Sequence, residues 1–420
     1  MSQGATRVLA AKERAWLERE PLARLLDVLD ADAEEARVVG GAVRNTLLGL
    51  AVNEVDIATT AVPDEVVRRA GNAGFHPVPT GIEHGTVTVV IGGKPFEVTT
   101  LREDIETFGR HAKVRFGRDW KKDAERRDFT INALFLARDG RVSDFVGGLA
   151  DLEARRVRFI GDPATRIRED YLRVLRFFRF HAAYAGGAMD AAGLAACIAA
   201  RAEIASLSRE RVRAELSKLF LAQHAVPTLA TMSEVGILGS VLGGVPLLAS
   251  FANMMKAEHA LGLEPDAIRR LAALAVFLSE DAERLRDRLR LANAEFHRLE
   301  SMGDRWWQVS PARGEDAARA LLYRIGAENF RDRALMAFSR SRAKADDKAW
   351  RDLVTLPARW SPPKFPLAAK DFTARGIEKG PALGAALARA EEEWIKAGFP
   401  AERSALDSIV EDALRAVKKS

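Results

Sequence analysis

Val39-Gly40-Gly41-Ala42-Val43-Arg44, followed a short span later by Asn53-Glu54-Val55-Asp56-Ile57-Ala58-Thr59-Thr60, is the stretch on which the reading of this chain turns. A β-branched run ending in Gly-Gly predicts a strand that turns tightly into a helix. Gly40 and Gly41 would let backbone N–H groups approach a phosphate closely, and the helix N-terminus adds favourable partial charge. Arg44, one turn into that helix, offers a guanidinium fork to a phosphate oxygen. On a strand, residues i and i+2 share a face, so Glu54 and Asp56 are predicted to stand side by side. Two such carboxylates repel unless cations are shared between them. Two divalent ions about 4 Å apart would neutralise the pair, one activating a hydroxyl and the other holding a leaving pyrophosphate. Glu97, in Phe96-Glu97-Val98-Thr99-Thr100, is a third candidate if its strand lies beside the first. Each fragment alone is as readily a plain turn or a polar strand; their order carries the reading.

Outward from this stretch the chain alternates strand-like and helical segments up to about Asp162. Gly85-Thr86-Val87-Thr88-Val89-Val90-Ile91, Gly92-Gly93 and Pro95 to Thr100 predict a hairpin. The later sequence is rich in Ala, Leu, Arg and Glu with apolar positions at helical spacing, as in Tyr171, Leu175, Phe178 and Ala182. Breaks are predicted near Leu207-Ser208, from Gly239 to Pro246, at Gly303 and at Trp360-Ser361-Pro362-Pro363. With 420 residues, more than one structural unit is expected.

The net charge is +5, from 64 basic and 59 acidic residues, which permits a nucleic-acid partner without demanding one. The single cysteine, Cys197, cannot build a disulfide or a metal cluster by itself, as suits a reducing cytoplasm. No apolar run approaches the roughly 20 residues needed to cross a bilayer, so no membrane partner is expected. The seven histidines are scattered without metal-ligand spacing.

Further basic and acidic groups complete the pattern. Arg126-Arg127-Asp128-Phe129-Thr130-Ile131-Asn132 pairs arginines suited to triphosphate oxygens with Asp128 and Asn132 as hydrogen-bonding groups for a ribose or the backbone. Leu101 to Asp123 is crowded with charge and carries Gly109 and Gly117; it reads as a mobile loop. In Arg166 to Arg179, read as one helix, Asp170 and Arg173 are i, i+3 neighbours, while Arg176 and Arg179 continue the basic face. A carboxylate beside a guanidinium can hydrogen-bond the Watson–Crick edge of cytosine or adenine. It is also the composition of an ordinary surface ion pair worth a few tenths of a kcal/mol. Trp306-Trp307 and Trp394 read as core anchors.

Gly40-Gly41-Ala42-Val43-Arg44, Glu54-Val55-Asp56, Arg126 to Ala133, Ile160-Gly161-Asp162-Pro163 and Glu169-Asp170-x-x-Arg173, in that order, resemble the class II tRNA nucleotidyltransferase and bacterial poly(A) polymerase family. The resemblance runs from Val38 to about Leu219, with Ser208 to Leu216 similar to the family's last shared motif. It implies an α+β chain: a nucleotidyltransferase palm with a small mixed or antiparallel sheet and helices over 1–155, then a helical neck over 156–222, a body over 223–355 and a tail over 356–420. It further implies addition of CCA to the tRNA acceptor end from CTP and ATP, with Mg²⁺ in a two-metal site. Catalytic Glu54, Asp56 and Glu97 are then expected, with Glu54 and Asp56 as metal ligands. Nucleotide contacts are expected at Gly40, Gly41, Arg44, Arg127, Asp128, Asn132, Asp170, Arg173, Arg176 and Arg179. The Leu101 to Asp123 segment would help switch specificity from C to A, and Phe365 to Gly384 would meet RNA.

One position departs from the family pattern: Glu54 stands where aspartate is usual, and its extra methylene shifts the ligating oxygen. Poly(A) polymerase, an enzyme restricted to CC or to A, and a non-catalytic tRNA-binding protein are the other readings. Thr80 to Thr88 and the tail resemble the CCA-adding branch. The sequence leaves monomer and homodimer open.

Overall fold

The structure, a computed structural model, describes residues 5–108 and 111–417. It divides into two compact units, 1–241 and 242–420.

The first unit is built on β1 (Ala5–Val8), β2 (Ala36–Val39), β3 (Asp56–Thr59), β4 (His76–Gly81), β5 (Thr86–Ile91), β6 (Lys94–Thr100), β7 (Arg102–Phe108), β8 (His111–Phe116), β9 (Leu134–Leu136) and β10 (Arg141–Asp144). Eight of these form one sheet in the order β1-β10-β9-β2-β3-β6-β5-β4. Every pairing in it is antiparallel except β3 with β6, which run parallel. The mixed α+β expectation holds, and the sheet is wider than the small one anticipated.

Helices α1 (Leu22–Leu29), α2 (Gly41–Leu47), α3 (Pro63–Asn72), α4 (Trp120–Glu125), α5 (Gly148–Glu153), α6 (Pro163–Glu169), α7 (Leu172–Tyr184), α8 (Ala191–Ala199), α9 (Arg209–Phe220), α10 (Ala225–Glu234) and α11 (Ile237–Leu242) complete it. Val39, Ala58, Trp120, Ala124, Phe135 and Ile160 pack into one buried cluster. That cluster joins β2, β3, β9 and α4, so it fixes the strand ends that carry the candidate site.

Two expectations are corrected here. The charged segment 101–123 is an antiparallel ribbon of β7 and β8 followed by α4, with Glu103 opposite Arg115 and joined to it by an ion pair of 3.0 Å. Cross-strand charge pairing of that kind gives polar residues a sheet role that composition alone does not reveal. Gly109 and Arg110, within that expected loop, lie outside the described residues. The helix predicted across 166–179 is broken: Asp170 adopts extended backbone (φ −155°, ψ 108°) between α6 and α7. Its carboxylate then accepts from the Leu172 backbone N–H at 3.1 Å, starting α7 afresh.

The second unit is helical: α12 (Leu248–Ala260), α13 (Ala267–Ala275), α14 (Ser279–Leu289), α15 (Asn293–Gly303), α16 (Gly314–Arg340), α17 (Lys348–Val354), α18 (Leu356–Arg359), α19 (Ala369–Thr373), α20 (Pro381–Lys396) and α21 (Arg403–Val417). The breaks expected at Gly303 and Trp360 coincide with the ends of α15 and α18. The break expected from Gly239 falls a few residues later, because α11 runs through Gly239. Trp394 is buried in the core of α19, α20 and α21 as expected, whereas Trp307 is 51% exposed and meets only the edge of Trp306 among the described rings. None of the described helices is long and apolar enough to cross a membrane.

Candidate active site

The site grows from the end of β2. Val39 is the last residue of that strand and lies opposite Asp56, the first of β3, while Asp56 lies opposite Glu97 on β6. The turn at Gly40 therefore leaves the sheet beside a carboxylate pair. Gly40 has φ 73° and ψ −119°, a conformation closed to residues with a Cβ, which is why glycine stands there. Its N–H donates to the Leu134 carbonyl at 3.2 Å, tying the turn to β9.

Glu54 is placed differently from expectation. The β2–β3 ladder begins at Asp56, because β2 has already turned away at Gly40 and offers no partner further back. Glu54 lies in the irregular segment before β3, so it and Asp56 are not an i, i+2 strand pair. It is still near enough to act electrostatically on Asp56. The surrounding protein first, then Glu97, and further Glu54 push the Asp56 carboxyl above its usual value, with Arg127 acting the other way. Among the described residues, none of the three carboxylates has a side-chain hydrogen bond or ion pair.

A cluster of unpartnered carboxylate oxygens is a donor set for a hard divalent cation. Among the described residues no three His, Cys, Asp or Glu side chains form a ready cage for a metal.

Behind the carboxylates sits a polar network that positions the arginines. Asp123, buried on α4, accepts from Arg126 Nε at 2.7 Å and from Arg127 Nη2 at 2.9 Å. Burial alone would raise its carboxyl, but Arg127 and Arg126 outweigh it and hold the group below the usual range. Asp128 accepts from Arg176 Nε at 2.7 Å, from Asn132 Nδ2 at 3.2 Å and from the Phe129 N–H at 2.9 Å. Here too burial pushes upward and the opposed arginine, Arg176, prevails. Arg176 and Arg179 meet again on Glu215 of α9, at 3.7 and 2.5 Å.

Arg44 is the clearest change of role. Expected to offer its fork to a phosphate, it is only 6% exposed and donates to Asn132 Oδ1 (2.5 Å), Asn45 Oδ1 (3.1 Å) and the Tyr184 hydroxyl (2.8 Å). Its guanidinium also lies 3.9 Å from the Tyr184 ring centroid. Burial lowers its pKa from the usual arginine value. Arg44 thus holds Asn132, and Asn132 holds Asp128, so three of the expected nucleotide contacts bond one another.

The base-reading pair is also re-partnered. Arg173 bonds Glu169 and, at 2.7 Å, the Arg166 carbonyl, not Asp170. Asp170 instead receives both Nη atoms of Arg211, at 2.6 and 3.2 Å. The break at Asp170 explains the exchange, since Asp170 and Arg173 no longer share one helical face. Arg211, with Glu169, Asp170, Tyr171 and Ser208, lines a cleft of about 310 Å³. Sequence reasoning missed Arg211: it lies 41 positions from Asp170, beyond any helical spacing. It also missed Asp123, whose i, i+3 and i, i+4 spacing to Arg126 and Arg127 was a usable signal.

Comparison with known proteins identifies the family. The family described as "Poly A polymerase head domain" matches residues 36–158, and the one described as "Probable RNA and SrmB- binding site of polymerase A" matches 188–251. The chain is 33% identical over 414 residues to the "CCA tRNA nucleotidyltransferase 1, mitochondrial" of Mus musculus, covering 96% of this chain and 93% of the mouse protein. It is 32% identical over 385 residues to the CCA-adding enzyme of Limosilactobacillus fermentum, covering 90% and 93% respectively. In fold it is similar to the Bacillus stearothermophilus CCA-adding enzyme solved in complex with CTP, with a TM-score of 0.74, 24% identity and coverage of 96% and 100%. The chain belongs to the family of CCA-adding tRNA nucleotidyltransferases.

Proposed function

We propose that this protein adds CCA to the 3′ end of tRNA, using CTP and ATP. The observation that carries the reading is the convergence of Asp56 and Glu97 on adjacent strands beside the Gly40 turn. The tRNA 3′-hydroxyl loses its proton to solvent, its oxygen attacks the α-phosphorus, a P–O bond forms, the bond to the α,β-bridging oxygen breaks and pyrophosphate leaves. Asp56 and Glu54 would hold Mg²⁺, with the Glu97 carboxylate beside Asp56; the ion when bound would lower the pKa of the 3′-hydroxyl and neutralise charge on the leaving pyrophosphate.

The protein's own groups supply the rest. With the Gly40 N–H committed to Leu134, the backbone N–H of Gly41 would meet the triphosphate. Arg127, oriented by Asp123, neutralises its oxygens. Asp170 and Arg173 read the base edge, held ready by Arg211 and Glu169. Arg176 and Arg179 keep the neck helices α7 and α9 together through Glu215. We assign 1–155 to the palm, 156–222 to the neck, 223–355 to the body and 356–420 to an RNA-binding tail. We place the reaction in the cytoplasm, a reducing compartment that suits one buried cysteine.

Purified protein offered a tRNA lacking its 3′ end, Mg²⁺ and labelled CTP and ATP should append C, C and A and then stop. Sequencing the products checks this; long A-tails on arbitrary RNA would overturn it. Arg211→Ala should raise KM for CTP and ATP about tenfold, because Asp170 loses its bidentate partner. Arg211→Lys should recover only part of the loss, lacking the planar fork. Unchanged KM in Arg211→Ala would remove Arg211 from nucleotide selection.

A further inference from the structure

The second unit contains a cavity of about 390 Å³ that the palm chemistry leaves unexplained. Arg305, Arg313, Arg324 and Arg333 line it against one lining carboxylate, Asp304. The long helix α16 breaks at Gly326 (φ 78°, ψ 167°), and the cavity is lined from both sides of the break, by Arg324 before it and by Phe330 and Arg333 after it.

The charges around it are poorly balanced. Arg333 is only 7% exposed; it meets Asp304 at 3.0 Å and Ser301 at 3.3 Å, and its buried Nε has no hydrogen-bond partner. Arg305 reaches Asp304 only at 3.7 Å, on a side chain that is 70% exposed. Arg313 has no ion-pair partner among the described residues. Arg324 is tied to Glu392 at 2.7 Å, where both side chains are almost half exposed and the bond is correspondingly weak. Crowded guanidinium groups of this kind are forks for phosphate oxygens. The remaining lining is largely apolar, and the volume is that of a small-molecule site.

We propose that this cavity binds a nucleoside phosphate, the arginines taking the phosphate and the apolar wall taking the sugar or base. A free mononucleotide and a nucleotide unit of bound RNA present the same chemistry. Hydrogen–deuterium exchange on the full chain in metal-free buffer separates them, with AMP in one arm and a tRNA lacking its 3′ end in the other. Residues 304–325 should be protected. Protection by AMP assigns a free nucleotide, and protection by tRNA alone assigns an RNA phosphate. A double variant with Arg305→Glu and Arg313→Glu, both at exposed positions, should weaken that protection at least tenfold with an unchanged melting temperature. No protection of 304–325 in either arm, or equal binding by the double variant, would overturn the proposal.

Discussion

Asp56→Ala is expected to lower nucleotide incorporation by about three orders of magnitude or more while leaving tRNA affinity within about twofold. Several kcal/mol of transition-state stabilisation are lost with a metal ligand, and each 1.4 kcal/mol or so is a factor of ten in rate. Asp56 is the position where this loss should be largest, because it alone lies in register with both the residue before the Gly40 turn and Glu97. The fold should not suffer. Asp56 has no side-chain partner among the described residues to be stranded, and its removal relieves repulsion from Glu97 and Glu54. Asp56→Asn, which keeps shape and discards charge, should be nearly as inactive. Glu54→Ala should cost less, since Glu54 stands outside the ladder and its backbone is not fixed by a neighbouring strand. Single-turnover incorporation assays with a melting curve for each variant test the ordering; more than a tenth of normal activity in Asp56→Ala would defeat it.

The same comparison shows how far sequence could go. The strands that carry Asp56 and Glu97 were legible because β-branched runs bounded by glycines are local codes, and the sheet joins them in parallel register; strand alternation misled, since it paired Asp56 with Glu54. The partners of the base-reading residues were not legible. Helical spacing favours Asp170 with Arg173, but the backbone turns extended at Asp170 and hands its carboxylate to Arg211 on α9. Arg44 shows the same limit. A guanidinium one turn into a helix behind Gly-Gly is well placed for phosphate, yet Tyr184 and Asn132, from 140 and 88 positions away, draw it inward. The charged segment of β7 and β8 was read as a loop from its composition, whereas Glu103 finds Arg115 across the two strands. Local patterns placed the strands and the glycine turn; long-range pairing decided which group each charge meets.

That pairing makes Gly148→Ala the most damaging small substitution expected away from the carboxylates. A Cβ at Gly148 would lie 2.3 Å from the Thr130 carbonyl oxygen and 2.9 Å from its carbon, closer than nonbonded atoms approach. Neither side can readily yield. Thr130 is pinned by its N–H to the Arg158 carbonyl at 3.1 Å and by its hydroxyl to buried Asp151 at 2.6 Å. Gly148 is pinned by its own N–H, which donates to Asp144 at 3.0 Å. Overpacking of this kind costs about 3 kcal/mol. For a unit of this size that corresponds to a fall in melting temperature of roughly 6–12 °C. Any relaxation must pass into the turn that carries Asn132 and Asp128, so the KM for CTP should rise as well. Gly71→Ala is the matching control: Gly71 lies in α3, nothing is within 4 Å of its Cβ position, and the change should stabilise by about 0.5–1 kcal/mol. Calorimetry of the two variants decides the matter, and a Gly148→Ala protein that melts with the wild type would show that the turn can move.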